Sequence, residues 1–201
     1  MGLAELSDLL KRLTDEQFVE AQIFNRVPWI FEGNDEGYQG WRTALAGQTD
    51  LHVNSFFLVG SAVTGFSLHP AKAGREFRKL SGDSLNRSDL DVAIVSDSLF
   101  IDVWNLILQY DRARRLGLSY DARFKLRQGT YWGHLSDYVI PRNTTPARQV
   151  RSVVAACGRN HPLRGYKTTV WLYRRLEDLR GYQINSLREL RGTLRRREEV
   201  A

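Results

Sequence analysis

Ser55-Phe56-Phe57-Leu58-Val59-Gly60-Ser61 is a short apolar run closed at once by a glycine and a serine, and Ser88-Asp89-Leu90-Asp91-Val92-Ala93-Ile94-Val95 is a second apolar run that opens on two acids. Uninterrupted apolar runs of this length, bounded by turn residues, read as strands buried on both faces. Alternate residues of a strand share a face, so Asp89 and Asp91 project together while Leu90 turns into the core. Two carboxylates so placed form a platform for a divalent cation. Magnesium takes hard oxygen ligands and completes its shell with water or substrate phosphate. The glycine lets the backbone approach a phosphate closely, and the serine hydroxyl with neighbouring amides supplies hydrogen bonds to it.

Outward from these two runs, the apolar positions Leu6, Leu9, Leu10, Leu13, Phe18, Ala21 and Phe24 recur near the helical period, with a fresh start at Thr14-Asp15-Glu16-Gln17. They predict two short helices over 3–13 and 15–26, ended by Pro28. Residues 31–40 read as a loop, and Trp41 to Ala46 as one or two helical turns. Between the two apolar runs, a helical turn is followed by a long loop. Asp97 and Ser98 are positioned to cap a helix carried by Phe100, Val103, Trp104, Ile107 and Leu108 as far as Arg115, with Gly117 as its stop. Ser119 to Leu126 alternates enough for a strand, and 118–150 as a whole reads as mostly loop with short strands because 128–146 holds Gly129, Gly133, Pro141 and Pro146. Tyr166 to Tyr173 is the third clear strand. Leu172, Leu176, Leu179, Leu187, Leu190 and Leu194 write one long amphipathic C-terminal helix, with Gly181 and Gly192 as its weak points. The expected fold is α/β of the α+β kind: a small mixed sheet holding the Gly-Ser and Asp-x-Asp strands, with flanking helices and a long C-terminal helix. One domain is expected over 1–201, with a helical segment at 1–50, the core and site at 53–126, and the last strand and helix at 165–197.

With 201 residues, 42% hydrophobic and 26% charged, the chain has the balance of an ordinary globular domain, which excludes a fibre or a disordered tail. No apolar run approaches the roughly 18 residues a bilayer span needs, and Met1 to Leu10 is unlike a secretory leader, so a cytoplasmic protein with no membrane partner is expected. A lone Cys157, beside Gly158, reads as a small buried residue. The net charge of +6 divides unevenly: residues 1–110 carry 9 Lys/Arg against 15 Asp/Glu, and residues 111–201 carry 20 against 8. Twenty-four of the 29 basic residues are arginine, the side chain that grips phosphate in pairs of hydrogen bonds. A polyanionic partner accounts for this, as does general arginine usage in a GC-rich genome. His52, His69, His134 and His161 share no metal-ligand spacing, and no Gly-x-Ser-x-Gly elbow occurs.

Leu58-Val59-Gly60-Ser61 followed by Ser88-Asp89-Leu90-Asp91-Val92 resembles the signature of the nucleotidyltransferase superfamily of the DNA polymerase beta type, over about residues 53–96, and points to a bacterial branch of it. The 28-residue interval from Ser61 to Asp89 is longer than the family's usual short helix and turn, which implies an insertion beside the site. The resemblance implies a magnesium-dependent enzyme that moves a nucleoside monophosphate from a nucleoside triphosphate such as ATP to a hydroxyl acceptor. That acceptor is a tRNA end or other RNA, a second nucleotide, a protein hydroxyl, or a small molecule of the aminoglycoside kind. By the same resemblance Asp89 and Asp91 are catalytic metal ligands, and Gly60 and Ser61 hold phosphate. Lys72, Arg87 and Ser88 are added as nucleotide contacts, and Arg75, Arg78 and Lys79 as neighbouring cations.

The family pattern adds a third carboxylate on a later strand, as ligand or base. Asp121 is the best-placed residue for it, and Asp137 the next. The strand at 166–173, which can equally fill that place in the sheet, holds no acid. This leaves open an alternative: a catalytically impaired nucleotidyltransferase fold serving as a regulatory or binding module of a toxin-antitoxin or phage-defence system. A nucleic-acid binder with an incidental pair of aspartates is the third reading. Tyr131, Trp132, Tyr138, Trp171 and Tyr173 either stack acceptor bases or, the preferred expectation, fill the core under the last helix. Arg188, Arg191 and Arg195-Arg196-Arg197 favour helix-end electrostatics over RNA contact.

Overall fold

In the computed structural model, which describes residues 3–79, 88–113 and 115–198, strands β1 (Phe56–Val59) and β2 (Leu90–Val95) pair antiparallel with Val59 opposite Asp91. That register is what carries Gly60 to the acids. β4 (Thr168–Tyr173) runs parallel to β2 on its other side, and the short β3 (His134–Ser136) closes the sheet antiparallel to β4, giving the order β1-β2-β4-β3. The molecule is a mixed α+β fold, as its sequence predicts, and the short strand of the region 118–150 lies at His134–Ser136 instead of Ser119 to Leu126.

The two faces of the sheet differ in what covers them. Phe56, Leu58, Leu90, Val92, Ile94, Val170 and Leu172 are all at most 1% exposed. They pack with Leu45 of α3 (Asp35–Thr49), Val103 of α5 (Asp97–Arg112) and Val153 of α7 (Thr145–Arg159). The opposite face carries Val59, Ala93 and Tyr173 under Leu179 of α8 (Leu176–Glu198). A one-residue slip of β2 would exchange Leu90, Val92 and Ile94 for Asp91 in the main core. Each of those side chains is worth about 1.5–3 kcal/mol of burial, so the register that exposes Asp91 is firmly fixed.

The N-terminal helices are α1 (Leu3–Arg12) and α2 (Asp15–Val19), the latter opened by a reciprocal capping box between Thr14 and Gln17 and continued by a π-helical turn, Glu20–Phe24. Leu6, Leu10, Phe18 and Ile23 from this segment form a separate cluster with Leu187 and Leu190 of α8.

Five local expectations are corrected. Residues 35–40 belong to α3, because Asn34 accepts from the Gly37 amide and starts the helix early. α5 is capped one residue ahead of Asp97, by Ser96, whose hydroxyl accepts from the Leu99 amide. Residues 120–131 are a helix, α6 (Tyr120–Tyr131), rather than a strand and loop: the Ser119 hydroxyl accepts from the Ala122 amide, and a capped start outweighs a weak alternation. Pro146 sits in the first turn of α7, where proline starts a helix instead of marking a loop. α8 runs unbroken through Gly181 and Gly192, and Leu172 belongs to β4 instead. Among the described residues no helix is long and apolar enough to cross a membrane.

Candidate active site

α8 leaves one end of its sheet face uncovered, and a cleft of about 410 Å³ opens there, walled by Gly60, Ser61, Lys72, Arg75, Ser88, Asp89 and Asp91. Residues far apart in sequence thus meet as their pattern predicts. Gly60 lies between β1 and the single-turn α4 (Ser61–Thr64) with φ 68°, a conformation that L side chains rarely adopt. A Cβ placed on it would stand 3.0 Å from Oδ2 of Asp91. The glycine is therefore required twice, by the turn and by the carboxylate that lies against it.

Asp91 is the more enclosed of the two acids. Burial raises its carboxyl above the usual range, an effect countered by the Trp171 indole and by Lys72 and Lys167, and reinforced by the charge of Asp89. Trp171 Nε1 donates to Asp91 Oδ1 at 3.3 Å. Asp89 is exposed, with Lys167 Nζ 3.9 Å from its Oδ2. An ion pair this open and this long holds Asp89 only loosely. The hydroxyl of Ser61 makes no hydrogen bond among the described residues. The Ser88 hydroxyl accepts from the Arg78 amide at 2.9 Å, so it ties the segment before the second strand to the cleft wall. Lys72 ends the 3₁₀ turn Pro70–Lys72, which His69 caps through the Ala71 amide. Arg87 lies outside the described residues.

The donor set suits magnesium. Two hard carboxylates share one face, the glycine leaves space beside them, and the remaining positions open to the cleft, which matches a cation that keeps water and takes substrate phosphate. Among the described residues no group of three or more His, Cys, Asp and Glu converges, so a cation in this cleft would have the two aspartates as its carboxylate ligands.

Asp121, expected as the third carboxylate on a strand, instead lies in the first turn of α6 and lines a different cavity. Its helix is set by the Ser119 cap, and that placement keeps it away from Asp89 and Asp91. Asp137 starts the 3₁₀ turn Asp137–Val139, where it accepts from Ser136 Oγ, and it too stands off the cleft. The strand beside the acids is β4, with Thr169 opposite Asp91 and Trp171 opposite Ala93. The side chain that reaches Asp91 from this strand is thus a tryptophan and not an acid. Glu76 lines the cleft from the opposite wall without joining the pair.

The sequence reading missed the wall supplied by α8: Tyr182, Gln183 and Ser186. Gln183 is 7% exposed and its amide makes no hydrogen bond among the described residues, so a group nearly sealed in protein offers its donors and acceptor to whatever fills the cleft. The signal was present as a polar residue in the leucine stripe itself: Gln183 stands four residues from both Leu179 and Leu187, where the spacing calls for an apolar side chain. Of the five aromatic residues expected in the core, Tyr173 is buried at 1%, but Tyr131, Trp132 and Tyr138 stand 80%, 55% and 74% exposed. Arg188 pairs with Asp15 and Glu16 of α2, and Arg191 with Asp15. Cys157 is fully buried, and burial pushes its thiol up to about 11, as suits an inert core residue. No family model, no curated protein and no solved structure matches the chain, so its resemblance to the nucleotidyltransferases rests on the residues of this cleft alone.

Proposed function

We propose that the cleft binds a magnesium-nucleoside triphosphate and transfers its nucleoside monophosphate to a hydroxyl acceptor. The observation that carries this reading is the meeting of Gly60-Ser61 with Asp89 and Asp91, residues 28 apart that share one cleft with Lys72 and Arg75. In it the Ser61 hydroxyl and the cations Lys72 and Arg75 bind the phosphates, and Gln183 reads a polar edge of the base or sugar. Magnesium held by Asp89 and Asp91 supplies the charge that neutralises the triphosphate. The acceptor oxygen attacks the α-phosphorus, the bond to pyrophosphate breaks, and the hydroxyl proton departs with the base or solvent that accepts it. The test is incubation with each of the four labelled ribonucleoside triphosphates and magnesium, with and without total tRNA. Transfer of label or release of pyrophosphate by the wild type, lost in the double variant Asp89→Ala, Asp91→Ala, supports the reading.

One observation favours a second reading. Trp171, not an acid, faces Asp91 from the neighbouring strand, so the general base of the reaction is not supplied there. On that reading the chain binds the magnesium-nucleotide and signals its presence to a partner without turnover. Tight binding with no pyrophosphate release, even with acceptors present, would favour it.

A further inference from the structure

Among the described residues, five of the seven exposed large hydrophobic side chains fall within one stretch: Tyr120, Phe124, Tyr131, Trp132 and Tyr138. Tyr120, Phe124 and Tyr131 stand on one side of α6 at steps of four and seven, while Leu126 and Gly129 turn inward. Exposed aromatic residues gathered so densely mark a binding surface rather than incidental exposure.

Two of the five, Trp132 and Tyr138, line cavities that adjoin one another through shared residues. The nucleotide cleft shares Trp171 with a second cavity of about 630 Å³ that runs under α6 past Lys125 and Trp132 to Tyr138. That cavity shares Tyr138 with a third groove of about 490 Å³, walled by Arg142 and Arg151. An aromatic side chain stands at each junction. Lys125, Arg142 and Arg151 line these cavities, are exposed and enter no ion pair among the described residues, and the acids beside them are Asp121 and Asp137. From 119 to 151 the chain carries six Lys/Arg against two Asp/Glu.

Flat rings spaced along a groove with unpaired cations beside them are the chemistry that holds a single-stranded nucleic acid, since every base offers a π-face and every link a phosphate. A docked apolar helix would leave these cations without partners, and a duplex would hide the base faces that the rings stack on. We propose that the track from Trp171 through Trp132 and Tyr138 to Arg142 and Arg151 binds a single-stranded nucleic acid, with the strand's hydroxyl end at Trp171 beside the nucleotide cleft. The proposal deepens the transferase reading by naming its acceptor, and rests on that reading only for the placement of the strand's end.

The test is fluorescence anisotropy with labelled single strands of about a dozen nucleotides, as RNA and as DNA, and with the matching duplex, without nucleotide or magnesium. Saturable binding of a single strand in preference to the duplex is expected, and the tighter of RNA and DNA names the strand. Trp132→Ala and Tyr138→Ala, both at exposed positions that leave the core intact, are each expected to weaken it about tenfold. The double variant Arg142→Ala, Arg151→Ala is expected to reduce the slope of log affinity against log salt by about 1.4. A strand carrying a photoreactive thio-base at its 3′ end is expected to crosslink to the peptide bearing Trp171. Absence of single-strand binding, equal binding of the duplex, or affinities unchanged in the aromatic variants would overturn the proposal, and a crosslink confined to the Arg151 peptide would overturn the placement of the end. The Asp89→Ala, Asp91→Ala protein separates the two readings. Strand binding that persists in it, with no label transferred by the wild type, sinks the transferase and leaves the track. Transfer to a small acceptor with no strand bound sinks the track alone.

Discussion

The Trp171 indole donates from β4 to the Asp91 carboxylate on β2, Nε1 to Oδ1 at 3.3 Å, across two strands that run parallel. One side chain thus does two things: it steadies the charged form of a carboxylate that burial disfavours, and it lines both the cleft at the two aspartates and the cavity under α6.

Trp171→Phe keeps the ring and removes the donor. Without it the Asp91 carboxyl rises further, so magnesium-nucleotide binding should weaken by about tenfold at neutral pH. Its onset should also move to higher pH, because the carboxylate form that a metal needs appears later. Calorimetric titrations of both proteins across a pH series check the shift.

Gly60→Ala should fail in two ways. The positive φ costs about 1–3 kcal/mol in a side-chain-bearing residue, and the new Cβ presses on Asp91 Oδ2 from 3.0 Å. A lowered melting temperature together with weakened magnesium-nucleotide affinity is expected. Ser61→Ala should spare the melting temperature and lose only affinity.

Asp91→Asn should stabilise the protein free of metal at neutral pH. The raised carboxyl means that the folded chain holds this proton to higher pH than the unfolded chain does. Stability is therefore lost as pH climbs from the ordinary aspartate value through the raised one. Asparagine carries no such charge and can still accept from Trp171. Thermal melts should show the variant ahead at neutral pH, with the difference closing toward acid.

Arg191 fastens the long helix to the N-terminal segment. Its Nε donates to Asp15 Oδ1 at 2.6 Å, one terminal nitrogen to the Leu13 carbonyl at 2.7 Å, and the other to the Leu10 carbonyl, at the end of α1. Arg191→Ala should cost about 1–3 kcal/mol because the two carbonyls and the partly buried Asp15 lose a charged partner. Arg188, 57% exposed against the same acid, should cost under about 1 kcal/mol when replaced. Chemical denaturation of the two variants checks the contrast.

The strands around the site were legible because burial on both faces writes uninterrupted apolar runs, and because Gly60 and the Asp89, Asp91 spacing have few other uses. The region 118–150 was not, since its helices are announced by caps rather than by periodicity. Ser119 starts α6, which buries little beyond Leu126, and Pro146 starts α7 in a position that reads equally as loop. The misplacement of Asp121 followed from that. The contribution of α8 to the cleft was hidden for a different reason. Leu187 and Leu190 set its buried stripe toward the N-terminal helices, and only the packing of that stripe decides that Tyr182, Gln183 and Ser186 face the acids.

The central claim is that Asp89 and Asp91 hold magnesium for a nucleotide laid on the Gly60-Ser61 turn. Equilibrium titration of a nucleoside triphosphate into the protein, with and without magnesium and in the Asp89→Ala, Asp91→Ala variant, tests it most directly. Binding that requires magnesium and disappears in a variant of unchanged fold is the predicted result. Binding that ignores magnesium, or that survives loss of both carboxylates, would contradict the claim.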